Sequence, residues 1–352
     1  MRPTIVDIAK RAGVSIKTVS RVMNDGAHVS VELRDRVRAV MAELDYRPNL
    51  AARTLKSRRG FMIAMLMTEE LAAFMRDEEQ IFPFFIASIQ NSALVACQQM
   101  DYRFAIEIAD LRAPDLAAVL PENLRRAGID GLILVPPICD DLALLDILDA
   151  GAISYVRVAP GIELKRGASV AIDEFGAALA MVGRLIALGH RRIGCISGPA
   201  DHVAAAARLV AYRQALAACD DAAQPMTVSG DFSFRSGAAA AETLLSRPDR
   251  PTAVFAANDD MAAGALATAG RLGLRVPEDL SIAGFDNSAV SRITWPPLTT
   301  VHQPIAEMTA AAVRHLVARA GEATLQPEQF ILPYTLIERG STAALSAHAP
   351  RA

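Results

Sequence analysis

Residues 4–24 read TIVDIAKRAGVSIKTVSRVMN and predict two short helices joined by a tight turn. Thr4 and Asp7 have the three-residue spacing of a capping box, so the first helix begins there. Gly13 supplies the backbone freedom that ends this helix, and Ser15 can cap the next one. A helix, a short glycine-containing turn and a second helix form the geometry that places the second helix in the major groove of DNA.

The second helix has an apolar face and a polar face. Val19, Val22 and Met23 recur at helical spacing and predict the buried side. On the other side, Lys17 and Arg21 suit the acceptors of guanine, and Ile16 suits the methyl group of thymine. A third helix is predicted from residue 30 to about residue 45.

Charge is distributed unevenly along the chain. The first 60 residues hold 13 basic and 6 acidic side chains, a net charge of +7, and the remainder holds 23 basic and 33 acidic, a net charge of −10. A basic head on an acidic body is typical of a nucleic-acid-binding module attached to another domain. A solvated charged face is the alternative interpretation.

The segment that follows the head, YRPNLAARTLKSRRG at residues 46–60, predicts a very short helix that begins at Pro48 and Asn49. A helix of about seven residues is not stable alone in water. It therefore needs a partner, either DNA or the same segment of a second subunit.

Beyond residue 60, short apolar runs alternate with alanine-rich helical stretches, which predicts parallel sheets covered by helices on both faces. About 280 residues exceed one such sheet, so we expect two lobes with a cleft at the carboxyl ends of the strands. The runs of strand length are 61–67, 104–108, 131–135, 154–158, 192–196, 253–256 and 280–283.

Composition excludes several classes of protein. The apolar fraction is 52% and the charged fraction 21%, unlike a disordered chain. The longest apolar runs fall short of the roughly 20 residues of a spanning helix, and the N-terminus lacks a signal peptide, so we expect a cytoplasmic protein with no membrane contact. Four dispersed cysteines, without metal-ligand spacing, are expected to be buried thiols, and we expect neither metal nor cofactor.

The head, the segment YRPNLAARTL and the core stretches LIALGHRRIGCISGP, PTAVFAANDDMAAGALATAGRLGLRVPEDLSIAGFDNS and WPPLTTVHQPI together resemble the lactose-repressor (LacI/GalR) family of bacterial transcription regulators. The resemblance covers residues 3–342 and implies an N-terminal all-α helix-turn-helix head on a periplasmic-binding-protein-like α/β core of two doubly wound parallel-sheet lobes. The expected boundaries are 1–47 for the head, 48–60 for the hinge, 61–161 with 292–325 for the first lobe, 162–291 with 326–340 for the second, and 341–352 for a disordered tail.

The resemblance also implies the partners. A homodimer would bind palindromic operator DNA, with Leu55 of each hinge helix wedged into the minor groove; packing of Leu55 on the third helix is the alternative. The predicted DNA contacts are Ser15, Ile16, Lys17, Thr18, Ser20, Arg21, Asn24, Asn49, Ala52 and Leu55.

For the core, the resemblance implies a small effector bound in the cleft by Arg208, Phe232, Asn258, Asp286 and Gln303. Amide, carboxylate and guanidinium groups pair with hydroxyls, and an aromatic ring stacks on the apolar face of a sugar. Asn258 and Asp286 can alternatively be helix N-caps, and for Asp259 we expect a structural role.

Two departures from the family pattern bear on the effector. In SYVRVAP, Arg157 lies two residues before Ala159, so both should share one strand face and Arg157 should offer a cationic contact. The acidic insertion at residues 67–85 should alter the rim of the cleft, unless it is a solvated surface excursion. An acidic sugar or an oligosaccharide therefore stands beside a simple sugar as the expected effector.

The predicted function is a repressor of carbohydrate-utilisation genes that a sugar-like effector releases from DNA; a corepressor or an activator remains an alternative. An enzyme is the rival class, but the chain contains no dinucleotide-binding, phosphate-loop or nucleophile-elbow motif, so we expect no catalytic residues. A transport binding protein would need export.

Overall fold

The computed structural model describes residues 3–23, 29–44, 46, 59–76, 84–219, 221, 224–321 and 327–345, with side chains of 74–76 excluded. The chain divides into two compact units, residues 1–61 and 62–352. The described part of the first unit holds helices α1 Ile5–Ala12, α2 Ile16–Met23 and α3 Val31–Glu43.

The caps of the head helices follow the sequence. Thr4 Oγ1 accepts a hydrogen bond from the backbone N–H of Asp7, and Asp7 Oδ2 accepts one from the backbone N–H of Thr4, at 3.4 and 2.8 Å. Gly13 ends α1 with a φ of 66°, a conformation that favours glycine. Ser15 Oγ accepts from the backbone N–H of Thr18 at 3.1 Å, at the start of α2.

One apolar cluster joins the three head helices. Since no helix of 8 to 13 residues is stable by itself, burial of these faces, worth about 1.5–3 kcal/mol for each large side chain, holds the head together. The buried residues are Ile8, Ala9, Ala12, Val19, Val22, Val37 and Val40.

The first lobe of the core is built on a sheet of parallel strands. Its strands are β1 Met62–Thr68, β2 Arg103–Ala109, β3 Gly131–Leu134, β4 Tyr155–Val158, β5 Ala168–Ala171 and β11 Glu328–Ile331, in the order β11-β5-β4-β3-β1-β2. Its helices are α4 Glu69–Arg76, α5 Phe84–Gln99, α6 Leu116–Ala127, α7 Leu142–Ala150 and α13 Ile305–Ala318, with a 3-10 turn at Ile138–Asp140.

The second lobe repeats this plan on a smaller scale. The parallel strands β6 Ile193–Ser197, β7 Met226–Ser229, β8 Ala253–Ala256 and β9 Ser281–Ala283 are ordered β7-β6-β8-β9, and β10 Thr300–His302 pairs antiparallel with β12 Thr335–Ile337. The helices are α8 Glu174–Ala187, α9 Val203–Ala217, α10 Phe234–Leu245, α11 Asp259–Arg271 and α12 Ala289–Ile293.

The lobe boundaries expected at residues 161/162 and 325/326 are wrong. Strand β5 pairs with β4, and β11 pairs with β5, so residues 168–171 and 328–331 complete the first sheet rather than the second lobe. In the described part of the core, the chain therefore passes between lobes after β5, after β10 and after β11. Glu174 and Gln303 lie at the first two of these crossovers.

The disorder expected from residue 341 onward is wrong for residues 341–345. Ser341 is fully buried; its hydroxyl accepts from the Thr299 backbone N–H and donates to the Ile282 carbonyl. The Leu345 N–H donates to the carbonyl of Leu188 at 2.8 Å. Residues 341–345 are thus fixed against the second lobe because its backbone groups bond to them, and residues 346–352 lie outside the described part.

Cys97, Cys139 and Cys195 are buried, as the sequence predicts, whereas Cys219 is only partly buried at the end of α9. Burial raises the pKa of the Cys97 thiol to about 11, which leaves it unreactive at neutral pH.

Candidate functional site

A cavity of about 420 Å³ lies in the core unit, with residues of both lobes in its walls. The first lobe supplies a mostly apolar wall, which includes Leu66, Met67, Phe84, Phe85, Pro136 and Ile138. The second lobe and the crossovers supply the polar wall, which includes Glu174, His202, Arg208, Asn258, Asp286 and Gln303. Apolar surface facing a few convergent polar groups is typical of a small-molecule site.

Arg208, on α9, is the centre of the polar wall. Its Nε donates to Oε2 of Glu174 at 2.9 Å, and its Nη2 lies 2.8 Å from the same oxygen in an ion pair. Its Nη1 donates to the carbonyl of Ala257 at 2.5 Å. The guanidinium also lies 3.7 Å above the ring centre of Phe285. These contacts fix the guanidinium at the wall of the cavity.

Asp286 and Gln303 form a second polar pair. Gln303 Nε2 donates to Asp286 Oδ1 at 2.6 Å. Burial raises the pKa of Asp286 well above its usual range, although the charge of Arg208 opposes this shift. Asp286 is not a helix cap, because α12 begins at Ala289 with Ser288 in the cap position.

Asn258 is a helix N-cap, the alternative that the sequence offered for it. Its Oδ1 caps α11 by accepting from the Met261 N–H at 3.0 Å, and its Nδ2 donates to the carbonyl of Phe232 at 2.8 Å. It also lines the cavity. The neighbouring Asp259 is structural, as expected: it is fully buried and accepts hydrogen bonds from Thr300 and from the backbone of Ser288.

Phe232 lies against His202, with ring centres 4.9 Å apart in an edge-to-face arrangement. A side-chain carbon at Gly198 would come within 2.4 Å of the Phe232 ring, so this glycine makes the room that the ring occupies. Burial, together with the charge of Arg208, lowers the pKa of His202 to about 4. At neutral pH His202 is therefore uncharged.

Strained backbone marks the same cavity. Ala159, Phe232 and Asp286 all line it, and their φ values are 51°, 70° and 110°. Such values cost residues other than glycine roughly 1–3 kcal/mol each, and residues that bear this cost cluster at functional sites. The strain therefore supports the assignment of the cavity as the site.

The expectation that Arg157 contacts the effector is wrong. Strand β4 ends at Val158, and the positive φ of Ala159 breaks the alternation of side chains, so Ala159 lines the cavity while Arg157 points elsewhere. Arg157 is fully buried; it donates to Asp140 Oδ1 and to the carbonyls of Cys139 and Ile162, each at 2.6–2.7 Å. It fastens the 3-10 turn to the loop after β4.

The described part of the acidic insertion takes part in the cavity. It forms α4 directly after β1, and Glu70 and Leu71 of that helix line the cavity together with Phe84 and Phe85 of α5. The interpretation as a rim of the cleft therefore agrees with the structure for these residues, whereas residues 77–83 lie outside the described part.

Sequence reasoning missed Glu174, His202 and Asp231, which also line the cavity. Glu174 follows β5 and His202 follows β6, each by a few residues, and polar side chains just after parallel strands are the ordinary signal of a ligand site. Glu174 was missed because β5, the strand that it follows, was not predicted from the sequence.

In the head, the predicted DNA contacts on α2 are accessible. Ser15, Lys17 and Arg21 are exposed, Ile16 is 49% exposed, and Thr18 and Ser20 are partly buried, while Val19 and Val22 face the core. The exposed residues thus form the face that the sequence assigned to DNA. Asn24, Asn49, Ala52 and Leu55 lie outside the described residues.

The described residues hold neither a metal site nor a membrane-spanning helix. No group of three or more His, Cys, Asp and Glu side chains there has a metal-binding arrangement. Within the same ranges, every helix is too short or too polar to cross a membrane.

Comparison with family models gives two matches. Residues 4–49 match the model described as bacterial regulatory proteins, lacI family, and residues 182–342 match the periplasmic binding protein-like domain. Among curated proteins, the transcriptional regulator CelR of Thermobifida fusca is 37% identical over 97% of this chain and 98% of its own. The transcriptional repressor PurR of Shigella sonnei is 35% identical over 97% of both chains.

Solved structures give the same picture. A complex of the transcriptional regulator CelR with cellobiose aligns with a TM-score of 0.69 at 33% identity, covering 97% of this chain and 100% of the other. The lac repressor dimer bound to operator and the anti-inducer ONPF aligns with a TM-score of 0.71 at 28% identity, covering 98% of this chain and 100% of that one.

Proposed function

Because the chain belongs to the lacI family of bacterial regulatory proteins, we propose that it is a homodimeric repressor of carbohydrate-utilisation genes, released from operator DNA by a sugar-like effector. The observation that carries this proposal is the cavity, to which Arg208, Phe232, Asn258, Asp286 and Gln303 all contribute. Its relatives are transcription regulators rather than enzymes. As a regulator of the chromosome, it would act in the cytoplasm.

On the DNA side, we assign base contacts to Ile16, Lys17 and Arg21, with Ser15, Thr18, Ser20 and Asn24 around them. The exposure of Ile16, Lys17 and Arg21 on α2 supports this assignment. Asn49, Ala52 and Leu55 would act in the hinge, with Leu55 wedged into the minor groove at the operator centre.

A homodimer fits both the palindromic site and the surface of the core. Ile293 and Trp295 are 81% and 90% exposed, and a two-fold interface would cover apolar side chains of this kind. A dimer presents two copies of α2 to successive major grooves.

On the effector side, the cavity has the chemistry of a sugar site. Arg208, Asn258, Asp286 and Gln303 offer donors and acceptors to hydroxyl groups, and Phe232 offers an aromatic ring to the apolar face of a pyranose. The related CelR was solved with cellobiose, which makes a disaccharide a suitable first ligand to test.

Glu174 and Gln303 lie at two lobe crossovers, and this position suggests how effector binding changes the affinity for operator DNA. A ligand that holds these residues stabilises one arrangement of the lobes, and it shifts operator affinity only if it prefers that arrangement. If that arrangement is the one with low operator affinity, the ligand acts as an inducer.

A gel-shift titration on the DNA upstream of the protein's own gene tests the proposal. We expect binding that weakens steeply with salt, since Lys and Arg contacts to phosphates release counterions, and release by at least one neutral sugar or oligosaccharide. Leu55→Ala should weaken operator binding, and Arg208→Ala or Asp286→Ala should abolish the sugar response but leave DNA binding. Binding strengthened by the sugar would instead identify a corepressor, and a response that survives both core substitutions would contradict the assigned cavity.

A further inference from the structure

The charge of Arg208 is balanced within the protein before any ligand arrives. Its Nε and Nη2 both contact the same oxygen, Oε2 of Glu174. The side chains of Arg208 and Glu174 are only 7% and 13% exposed. The third contact goes to a main-chain carbonyl, that of Ala257. A guanidinium held in this way has little positive potential left for an anionic ligand.

The rest of the described cavity wall is rich in carboxyl groups. Glu70, Asp231 and Asp286 line it besides Glu174, and Arg208 is the single guanidinium or ammonium group among the described lining residues. His202 adds no charge at neutral pH, because its pKa is lowered to about 4 by burial and by Arg208. The described wall thus holds four carboxyl groups and one guanidinium group.

The buried carboxyls show what this environment does to negative charge. Burial raises the pKa of both Glu174 and Asp286, and Arg208 only partly offsets the effect. An environment that resists the ionisation of its own carboxyls also resists a carboxylate or phosphate that a ligand would bring.

One buried acceptor of the cavity wall, the side-chain oxygen of Gln303, has no donor among the described residues. Gln303 is 2% exposed, and its Oε1 accepts no hydrogen bond from any residue that the structure describes. A buried acceptor left unpaired costs roughly 1–3 kcal/mol, so a ligand hydroxyl or amine that pairs with it gains affinity. A ligand carboxylate offers only acceptors and cannot pair with it.

From these four observations we infer that the cavity selects a hydroxyl-rich ligand without negative charge, and that Glu174 sets this selection by pairing with Arg208. The inference rests on the proposed sugar-responsive function and narrows it. It removes the sugar acid from the effectors that the sequence allowed, since the cationic contact expected from Arg157 is not at the cavity. Glu174 acts here as a positioning and specificity-determining residue.

Calorimetric titration with matched sugar pairs tests the inference. The pairs are glucose with glucuronate, galactose with galacturonate, and cellobiose with cellobiouronic acid. In the acid of each pair, a carboxylate replaces one hydroxymethyl group of the neutral sugar. We expect the neutral member of any pair that binds to have at least about tenfold higher affinity than the acid, because like charges brought together without solvent repel strongly.

Three variants locate the cause. Glu174→Gln should narrow the neutral-to-acid ratio by about tenfold, because it frees the charge of Arg208. Glu174→Asp keeps the charge and should keep most of the selectivity. Glu122→Gln removes an exposed carboxylate of α6 that does not line the cavity and should leave the ratio unchanged. Melting curves of each variant establish that it is folded.

The possible results distinguish failure of this inference from failure of the proposed sugar-responsive function. If the acid member binds the unmodified protein as well as the neutral one, or Glu174→Gln leaves the ratio unchanged, the inference is wrong and the sugar-responsive function stands. If no member of any pair binds, the sugar-responsive function is itself contradicted, and the inference fails with it.

Discussion

Among the described residues of the core, two arginines are buried, Arg157 and Arg208, and their surroundings differ. Arg157, in the first lobe, is fully buried and donates to Asp140 and to main-chain carbonyls of a turn and a loop. Arg208, in the second lobe, pairs with Glu174 at the wall of the cavity. Arg157, whose partners are mostly backbone carbonyls, holds a turn to a loop, whereas Arg208, held by Glu174 and the Ala257 carbonyl, lines the cavity.

The largest effect expected from this comparison is on stability. Arg157→Ala takes the paired cation from Asp140, whose side chain is 12% exposed and keeps hydrogen bonds from the backbone N–H groups of Gly161 and Ile162. It also removes the guanidinium donors from the carbonyls of Cys139 and Ile162, so the free energy of unfolding should fall by about 3–5 kcal/mol. Urea denaturation measures it. Sugar affinity of the folded fraction should stay within about threefold, since Arg157 does not line the cavity. Arg157→Lys, which retains the charge but not the planar fork, provides a second variant if the first does not fold.

The second effect is on ligand binding. Arg208→Ala should lower the affinity for the releasing sugar by at least about 30-fold, because it removes a fixed donor and leaves Glu174 unpaired in the wall. The loss of unfolding free energy should be smaller than for Arg157→Ala, because the cavity gives Glu174 access to water or a proton. Calorimetry and urea denaturation on the same preparations compare the two arginines directly. A reversed order, with Arg157→Ala harming binding and Arg208→Ala harming only stability, would overturn the comparison.

These two arginines also show how far the sequence alone reaches. Arg208 was predicted to lie at the cleft because its motif, ARLVAYRQAL, resembles the family, and the structure places it in the cavity wall on a long, regular helix. Arg157 was misassigned because the argument assumed that a strand continues to Ala159. One residue with a positive φ ended the alternation, and tertiary contacts rather than local pattern decide such a conformation.

The lobe boundaries were missed for a related reason. Strands β5 and β11 are each four residues long, and β11 is exposed at the edge of its sheet, so neither produces a distinct periodic pattern. Their pairing joins residues 168 and 328, which lie far apart in the chain. Strand β8 is equally short, but its sequence AVFA is wholly apolar, and it was located to the residue; α3 was located within two residues.

Asp259 is a fully buried carboxyl of the second lobe that accepts hydrogen bonds from Thr300 and from the backbone of Ser288. Burial raises the pKa of Asp259 to about 7, while in the unfolded chain an aspartate titrates near pH 4. Between about pH 4 and pH 7 the folded state therefore holds the proton more strongly, and its stability falls as the pH rises, by up to about 1.4 kcal/mol per pH unit from this group. Above pH 7 both states are ionised and the contribution no longer changes.

Comparison of the unmodified protein with Asp259→Asn isolates this contribution. Urea denaturation between pH 5 and pH 8 gives the unfolding free energy of both proteins. We expect the value for the unmodified protein minus the value for Asp259→Asn to fall up to about pH 7 and then to level off. Glu122→Gln, which removes an exposed carboxylate, should run parallel to the unmodified protein throughout. A difference that is constant with pH would mean that Asp259 is ionised in the folded state across the whole range.

The smallest effect is expected at the outer edge of the Arg157 region. Arg166 bonds to Asp146, Asp149 and Glu163 with side-chain distances of 2.6, 2.6 and 3.3 Å, yet it is 20% exposed and its acidic partners are 47–74% exposed. Exposed ion pairs contribute little because water already solvates the separated charges and the side chains lose entropy when they pair.

Arg166→Lys should therefore lower the free energy of unfolding by less than about 1 kcal/mol and leave sugar affinity unchanged. The loss should shrink further in 0.5 M salt, since screening weakens exposed pairs more than buried ones. Urea denaturation at low and high salt measures both quantities. A loss as large as that of Arg157→Ala would show that the carboxylates around Arg166, rather than the backbone carbonyls around Arg157, hold the loop after β4 in place.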